Sequence, residues 1–254
     1  MQLSDKIKKF SAEQAIDYLN KNPVKNLPKL LDWADTFCKG EFENQRRAIR
    51  KACMDPTDAH YPMVQHMLND IDPEVLKTSL VNFFIYGNMI GWDQEDALRE
   101  KYGCNIPWAI LMDPTSACNL HCTGCWAAEY GNKLNLSLEE LDDIICQGKD
   151  MGVYFYIYTG GEPLVRKKDL ITLCERHPDC EFLSFTNGTL IDEAFADEML
   201  RVKNFIPAIS LEGFEEATDG RRGNGVYQKV IAAMELLKRK RLPYGISCCY
   251  TSAN

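Results

Sequence analysis

Apolar positions fall into two textures along the chain. Up to about residue 103 they recur at helical spacing: Val24, Leu27, Leu30, Leu31, Ala34 and Phe37 share one face of a 3.6-residue repeat, with Pro28 tolerated near the first turn. Ser11-Ala-Glu-Gln14 has the form of a capping box and predicts a helix opening there and running to about Asn20. Further helices are expected at 41–54, 59–70, 73–88 and 93–102, separated by Asp55-Pro56, Asp72-Pro73 and Gly91. From residue 107 short apolar runs take over, at 108–113, 153–158, 181–186, 205–210 and 244–250. They alternate with amphipathic stretches at 137–150, 167–177, 191–202 and 225–241. That alternation predicts parallel strands joined by right-handed helical crossovers. The expected organisation is an all-helical N-terminal domain or cap over residues 1–104 and an α/β domain over 105–254.

Composition narrows the class. With 254 residues, 45% hydrophobic and 26% charged, the chain can bury a sizeable core and has the balance of a soluble protein. Its longest apolar stretch, Leu80 to Trp92, is too short for a bilayer and carries Asn82, Asn88 and two glycines. The first residues lack the apolar core of a secretory signal, so a cytoplasmic location is expected. A net charge of −8 argues against a nucleic-acid partner. Residues 1–51 hold 11 Lys/Arg against 7 Asp/Glu, a net of +4, and the remainder 18 against 30, a net of −12. The basic start reads as ordinary solvated helix faces.

The chemistry concentrates in Cys118-Asn-Leu-His-Cys122-Thr-Gly-Cys125-Trp126, just after the first apolar run. Three cysteines on a loop leaving a strand can aim three thiolates at one centre, as an iron–sulfur cube requires, and leave one iron open. A zinc site completed by His121 is the alternative, but no distal Cys/His pair stands at finger spacing. A disulfide does not suit a chain with no mark of secretion. Cys38, Cys53, Cys104, Cys146, Cys174 and Cys180 are scattered and read as small core residues or incidental thiols. Cys248 and Cys249 sit in the last apolar run, where alternation would turn one of them inward. His60 and His66 read as surface or packing residues.

Behind the cysteines come Tyr158-Thr-Gly-Gly-Glu162-Pro163, Thr186-Asn187-Gly188 and Ile209-Ser210-Leu-Glu212-Gly213. With these motifs, over about residues 106–254, the sequence resembles the radical S-adenosylmethionine superfamily, in particular its peptide-modifying and cofactor-maturing branch. The resemblance implies a partial (β/α)6-type parallel barrel with its site at the strand ends. It implies that Cys118, Cys122 and Cys125 hold a [4Fe–4S] cluster whose open iron takes the amino nitrogen and carboxylate of S-adenosylmethionine. It further implies that the backbone of Gly160, Gly161, Glu162 and Pro163 receives the amino group. Asn187, Ser210 and Glu212 would then lie near the ribose or carboxylate, and Arg222, in Arg221-Arg222-Gly223, would clamp that carboxylate.

The implied reaction uses one electron, from a donor such as a flavodoxin or ferredoxin, to generate a 5′-deoxyadenosyl radical that abstracts hydrogen from a substrate. A peptide is the expected substrate and a lipid or small-molecule precursor the alternative. A non-catalytic iron–sulfur electron carrier is the alternative of another class. One position departs from the family: an aromatic often precedes the third cysteine, where this sequence has Gly124, with Trp126 one residue after that cysteine. The family's six strand–helix units also exceed the five found here, so a chain truncated after its fifth strand is expected.

Overall fold

The five apolar runs form one five-stranded sheet in the computed structural model, which describes residues 3–37 and 43–250. The strands are β1 (Ala109–Met112), β2 (Phe155–Tyr158), β3 (Glu181–Thr186), β4 (Phe205–Ser210) and β5 (Gly245–Ser247). Every neighbouring pair is parallel, in the order β1-β2-β3-β4-β5. Sequential order with right-handed crossovers puts the connecting helices on one face and leaves the other concave, the geometry of a partial barrel rather than a doubly wound sheet. β5 is shorter than the run at 244–250 predicts. Cys248 and Cys249 lie beyond its end, and both are exposed.

Alternation decides which side chains meet the helices. Ile110, Tyr156 and Phe182 share one register row, and the Tyr156 hydroxyl donates to the carbonyls of Ile145 and Val153 at 2.9 and 3.0 Å. Tyr156 and Tyr158 both stack on Phe182 with ring centroids 5.7 Å apart, and all three are fully buried. Such pairs contribute about 0.5–1.5 kcal/mol each beyond their burial. The helical layer comes from the amphipathic stretches, and its first helix, Leu138–Asp150, opens on a complete capping box between Ser137 and Glu140.

Contacts divide the chain into two units, Met1–Lys77 and Thr78–Asn254. Within the first, four helices are described: α1 (Leu3–Lys21), α2 (Pro23–Phe37), α3 (Glu43–Met54) and α4 (Tyr61–Asp70). Arg46 and Arg50 on α3 reach Asp35 on α2 at 2.7 Å, and Asn26 donates to the Tyr18 carbonyl at 2.6 Å. The expected helix start at Ser11 is corrected: α1 begins eight residues earlier, because the preceding segment is itself compatible with helix and continues it through the capping pattern. Cys38 lies outside the described residues.

A second correction concerns Gly91, expected as a separator. The helix is continuous, running from α5 (Pro73–Leu80) through a ten-residue π-helical stretch, Val81–Ile90, into α6 (Gly91–Tyr102). A Cβ on Gly91 would stand 2.3 Å from the Gly152 carbonyl oxygen, so this glycine is a point of close backbone approach and not a helix end. Residues 78–102, read from the sequence with the N-terminal helices, thus lie in the same unit as the sheet.

The remaining helices are α7 (Leu138–Asp150), α8 (Lys167–Arg176), α9 (Glu193–Val202), α10 (Glu215–Arg222) and α11 (Val226–Arg239). Helix α10 had no apolar signal to predict it: its polar sequence buries only Thr218. Asp219, held by the backbone N–H groups of Gly225 and Tyr227, secures its exit.

Candidate functional site

All five strand ends converge on one cavity of about 240 Å³. The loop after β1 brings Cys118, Cys122 and Cys125; β2 brings Thr159 to Glu162; β3 brings Thr186 and Asn187; β4 and β5 bring Ser210 and Ser247; α10 brings Arg221 and Arg222. Every site residue expected from the sequence lines this cavity except Pro163 and Glu212, both of which are buried.

The diglycine has a steric reason. A Cβ on Gly161 would lie 2.3 Å from the Ala117 carbonyl oxygen, and one on Gly160, whose φ is +103°, 2.8 Å from that of Thr115. The glycines therefore let the end of β2 press against the lead-in to the cysteine loop. The Gly161 and Glu162 N–H groups donate to the Thr115 and Ala117 carbonyls at 3.0 and 2.8 Å. With these donors engaged, neither N–H is left to donate to a ligand.

Glu162 is 1% exposed. Its Oε1 accepts from the Leu164 N–H at 3.0 Å and the Thr186 hydroxyl at 2.6 Å, and its Oε2 from the Asn187 N–H at 2.7 Å. Burial pushes its pKa above the usual carboxylate value, against those three donors. Its side chain ties the β2 loop to the end of β3. Asn187 continues the chain of contacts, donating to Asn119 of the cysteine loop at 2.8 Å. Asn119 and Thr186 stand inside motifs the sequence singles out, but no role is assigned to either side chain from the sequence.

Glu212 is 2% exposed and collects both arginines: Arg221 Nη1 at 2.7 Å, and Arg222 Nε and Nη2 at 3.0 and 2.5 Å. The Cys249 N–H donates to its other oxygen at 3.1 Å. Glu212 thus fixes the guanidinium of Arg222, whose remaining Nη1 stands 4.0 Å from Cys122 Sγ. Burial raises the Cys118 and Cys122 thiol pKa values, and Arg222 is the largest opposing influence at Cys122. Gly124, at φ +69°, turns the loop in a conformation an aromatic residue would occupy only under strain. Trp126 lines the cavity and packs edge-on against Tyr130 at 5.8 Å.

The donor set fits a cube better than a single ion. Zinc–thiolate bonds of about 2.3 Å hold tetrahedral sulfurs under about 4 Å apart. Among the described residues, the one trio with ligand atoms mutually within 4.8 Å is Asp142, Cys146 and His177, not the loop cysteines. His121, the fourth ligand of the zinc alternative, is exposed and does not line the cavity.

The model of the Radical SAM superfamily matches residues 112–252, more than half of the chain. The chain belongs to the radical SAM superfamily. This is a class of enzymes whose cofactors are a [4Fe–4S] cluster and S-adenosylmethionine. Among radical SAM relatives, the Fe-coproporphyrin III synthase of Methanosarcina barkeri is 30% identical over 144 residues, covering 54% of this chain and 35% of that protein. A cysteine-type anaerobic sulfatase-maturating enzyme of Clostridium perfringens is 29% identical over 168 residues, covering 58% of this chain and 45% of the relative.

Among solved structures, Streptococcus suis SuiB bound to S-adenosylmethionine superposes with a TM-score of 0.55 at 19% identity, over 95% of this chain and 50% of that one. That likeness shows the fold. The chain spans half or less of the length of these relatives. No helix among the described residues is long and apolar enough to cross a membrane.

Proposed function

We propose that this chain cleaves S-adenosylmethionine reductively at the strand-end cavity and uses the resulting radical on a substrate. The observation that carries the reading is the convergence of three cysteines, a diglycine and a fixed arginine on one cavity at the strand ends. Cys118, Cys122 and Cys125 hold three irons of a [4Fe–4S] cluster and leave the fourth to S-adenosylmethionine. When bound, the two cofactors supply one-electron cleavage of the sulfonium to methionine and a 5′-deoxyadenosyl radical, which abstracts a substrate hydrogen.

The protein's part is placement. Gly160 to Pro163 offer backbone oxygens to the amino group. Arg222, held by Glu212 through Nε and Nη2, turns its Nη1 edge to the cavity, where it meets a carboxylate. Asn187 and Ser210 supply polar contacts to the ribose or carboxylate from the ends of β3 and β4. An electron carrier would need no such clamp.

A peptide substrate is supported by the sulfatase-maturating relative, with a flavodoxin- or ferredoxin-like protein as donor in the cytoplasm. All ten cysteines among the described residues are free, which suits a reducing compartment. A small-molecule or lipid precursor is favoured by a different observation: a cavity of about 730 Å³, lined by Leu111, Trp126, Tyr130 and Leu134, adjoins the site through Trp126, Gly160 and Gly161. In this reading residues 105–254 are the catalytic core and residues 1–104 precede it in the chain, of which 78–102 belong to the same unit as the sheet.

The test is anaerobic reconstitution with iron and sulfide, then reduction with S-adenosylmethionine present. The expected result is 5′-deoxyadenosine from the wild type and none from the Cys118/Cys122/Cys125→Ala protein. A formed cluster that yields no 5′-deoxyadenosine would overturn the proposal.

A further inference from the structure

A second set of metal-ligating groups lies in the helical layer, and none of its members lines the cluster cavity. Asp142 and Cys146 stand four residues apart on α7, which places them one above the other on one edge of the helix. His177 caps the C-terminus of the neighbouring α8. One carboxylate oxygen, the Cys146 sulfur and a ring nitrogen of His177 lie mutually within 4.8 Å. The trio runs from the surface inward: Cys146 is exposed, Asp142 half-buried and His177 only 5% exposed.

We propose that Asp142, Cys146 and His177 form a second metal site, taking one divalent ion of the zinc class. The ligand types argue for that class. Thiolate and imidazole with a single carboxylate suit a borderline-soft ion and not magnesium or calcium, which take oxygen. Two ligands at i and i+4 on one helix with a third from an adjacent element make an open, three-ligand arrangement, and water completes the tetrahedron.

The preorganisation is already present. Asp142 Oδ1 stands 2.9 Å from His177 Nε2, close to the spacing two ligands of one ion adopt. Arg176 holds the other carboxylate oxygen of Asp142 at 3.2 Å, leaving Oδ1 for the ion. Nothing among the described residues fixes the imidazole tautomer from the far side, because His177 Nδ1 is buried with no hydrogen-bond partner. The ring can carry its single proton at Nδ1 and turn the Nε2 lone pair to the metal. Binding then releases one proton, from the Cys146 thiol to solvent, while the imidazole proton moves from Nε2 to Nδ1. Affinity therefore falls as the pH is lowered. Once bound, the ion fastens α7 to the end of α8 and holds Cys146 as a thiolate.

The experiment uses the reconstituted protein, so that the loop cysteines are occupied, and zinc alone as the probe. Equilibrium dialysis with elemental analysis should find one zinc per chain beyond the iron, and zinc-edge X-ray absorption should find a single sulfur ligand. Cys146→Ser replaces an exposed side chain, keeps the fold, and should weaken zinc binding by more than about 100-fold, beyond the loss typical of an outer-sphere partner. His177→Gln and Asp142→Asn should do the same while leaving the iron content of the cluster unchanged. No zinc bound by the wild type, or zinc retained in Cys146→Ser with an unchanged sulfur signal, would overturn the proposal.

Discussion

Two buried glutamates stand at opposite ends of the sheet. Glu181, at the start of β3, is 2% exposed and accepts from the Ser79 hydroxyl at 2.9 Å and from Asn82 Nδ2 at 3.5 Å. Glu162, after β2, is 1% exposed and has three donors of its own. Burial raises both pKa values, that of Glu181 to about 8. Burial and an upward-shifted pKa are therefore common to both ends and mark neither as the site. The partners differ. Glu181 binds side chains of one helix, where Asn82 also donates to the Pro178 and Cys180 carbonyls, and the network closes on itself. Glu162 binds the loops that wall an open cavity bearing three cysteines. A buried carboxylate points to function where its partners border a space that a ligand can enter.

The sharpest way to break the contrast is to remove a group on the cavity side. Cys122→Ala should lower bound iron by at least about tenfold after reconstitution, since it removes a direct ligand; iron analysis and the visible spectrum check this. Wild-type iron content in that variant would mean that the loop is not the ligand set. Next in size, Glu162→Ala strands the Thr186 hydroxyl and two backbone N–H groups. It should cost on the order of 3–9 kcal/mol by denaturant unfolding, at about 1–3 kcal/mol for each of the three buried groups left unpaired. Gly161→Ala should cost about 1–3 kcal/mol and loosen the cysteine loop, because its Cβ overlaps the Ala117 carbonyl.

The substitution with the smallest cost at acid pH belongs to the opposite end. Glu181 has a folded-state pKa of about 8, above the unfolded value of about 4.3, so the folded state keeps a proton that the unfolded state loses. Its stabilising contribution is full below that unfolded value and is lost as the pH rises through about 8. Unfolding measured across this window should show stability declining with pH in the wild type and a flatter profile in Glu181→Gln. At the acid end the substitution itself should cost less than about 1 kcal/mol. An unchanged slope would mean that the carboxyl is ionised in the fold.

The strands were legible because each is an apolar run bounded by turn residues, a signal that needs no tertiary information. The cysteine triplet was legible for a similar reason: its spacing is local. What depended on distant contacts was not. Gly91 looks like a helix breaker until Gly152 is seen against it, and the π-helical stretch after Leu80 has no counterpart in a period-3.6 pattern. Ser11 has the residues of a cap, yet α1 runs through it. The Arg-Arg-Gly segment marks Arg222 as a carboxylate clamp, but not that Arg221 and Arg222 form the last turn of α10, where a cation is favoured, nor that both turn on Glu212. Glu162 sat within a recognised motif. That its side chain joins two strand ends could be read only once β2 and β3 were paired.

The measurement that tests the central claim most directly is electron paramagnetic resonance of the reduced, reconstituted protein with and without S-adenosylmethionine. A cluster held by Cys118, Cys122 and Cys125 alone has an open iron, so the account predicts a signal that changes when S-adenosylmethionine is added and is absent from the triple Cys→Ala protein. A reduced-cluster signal that S-adenosylmethionine leaves unaltered would contradict it.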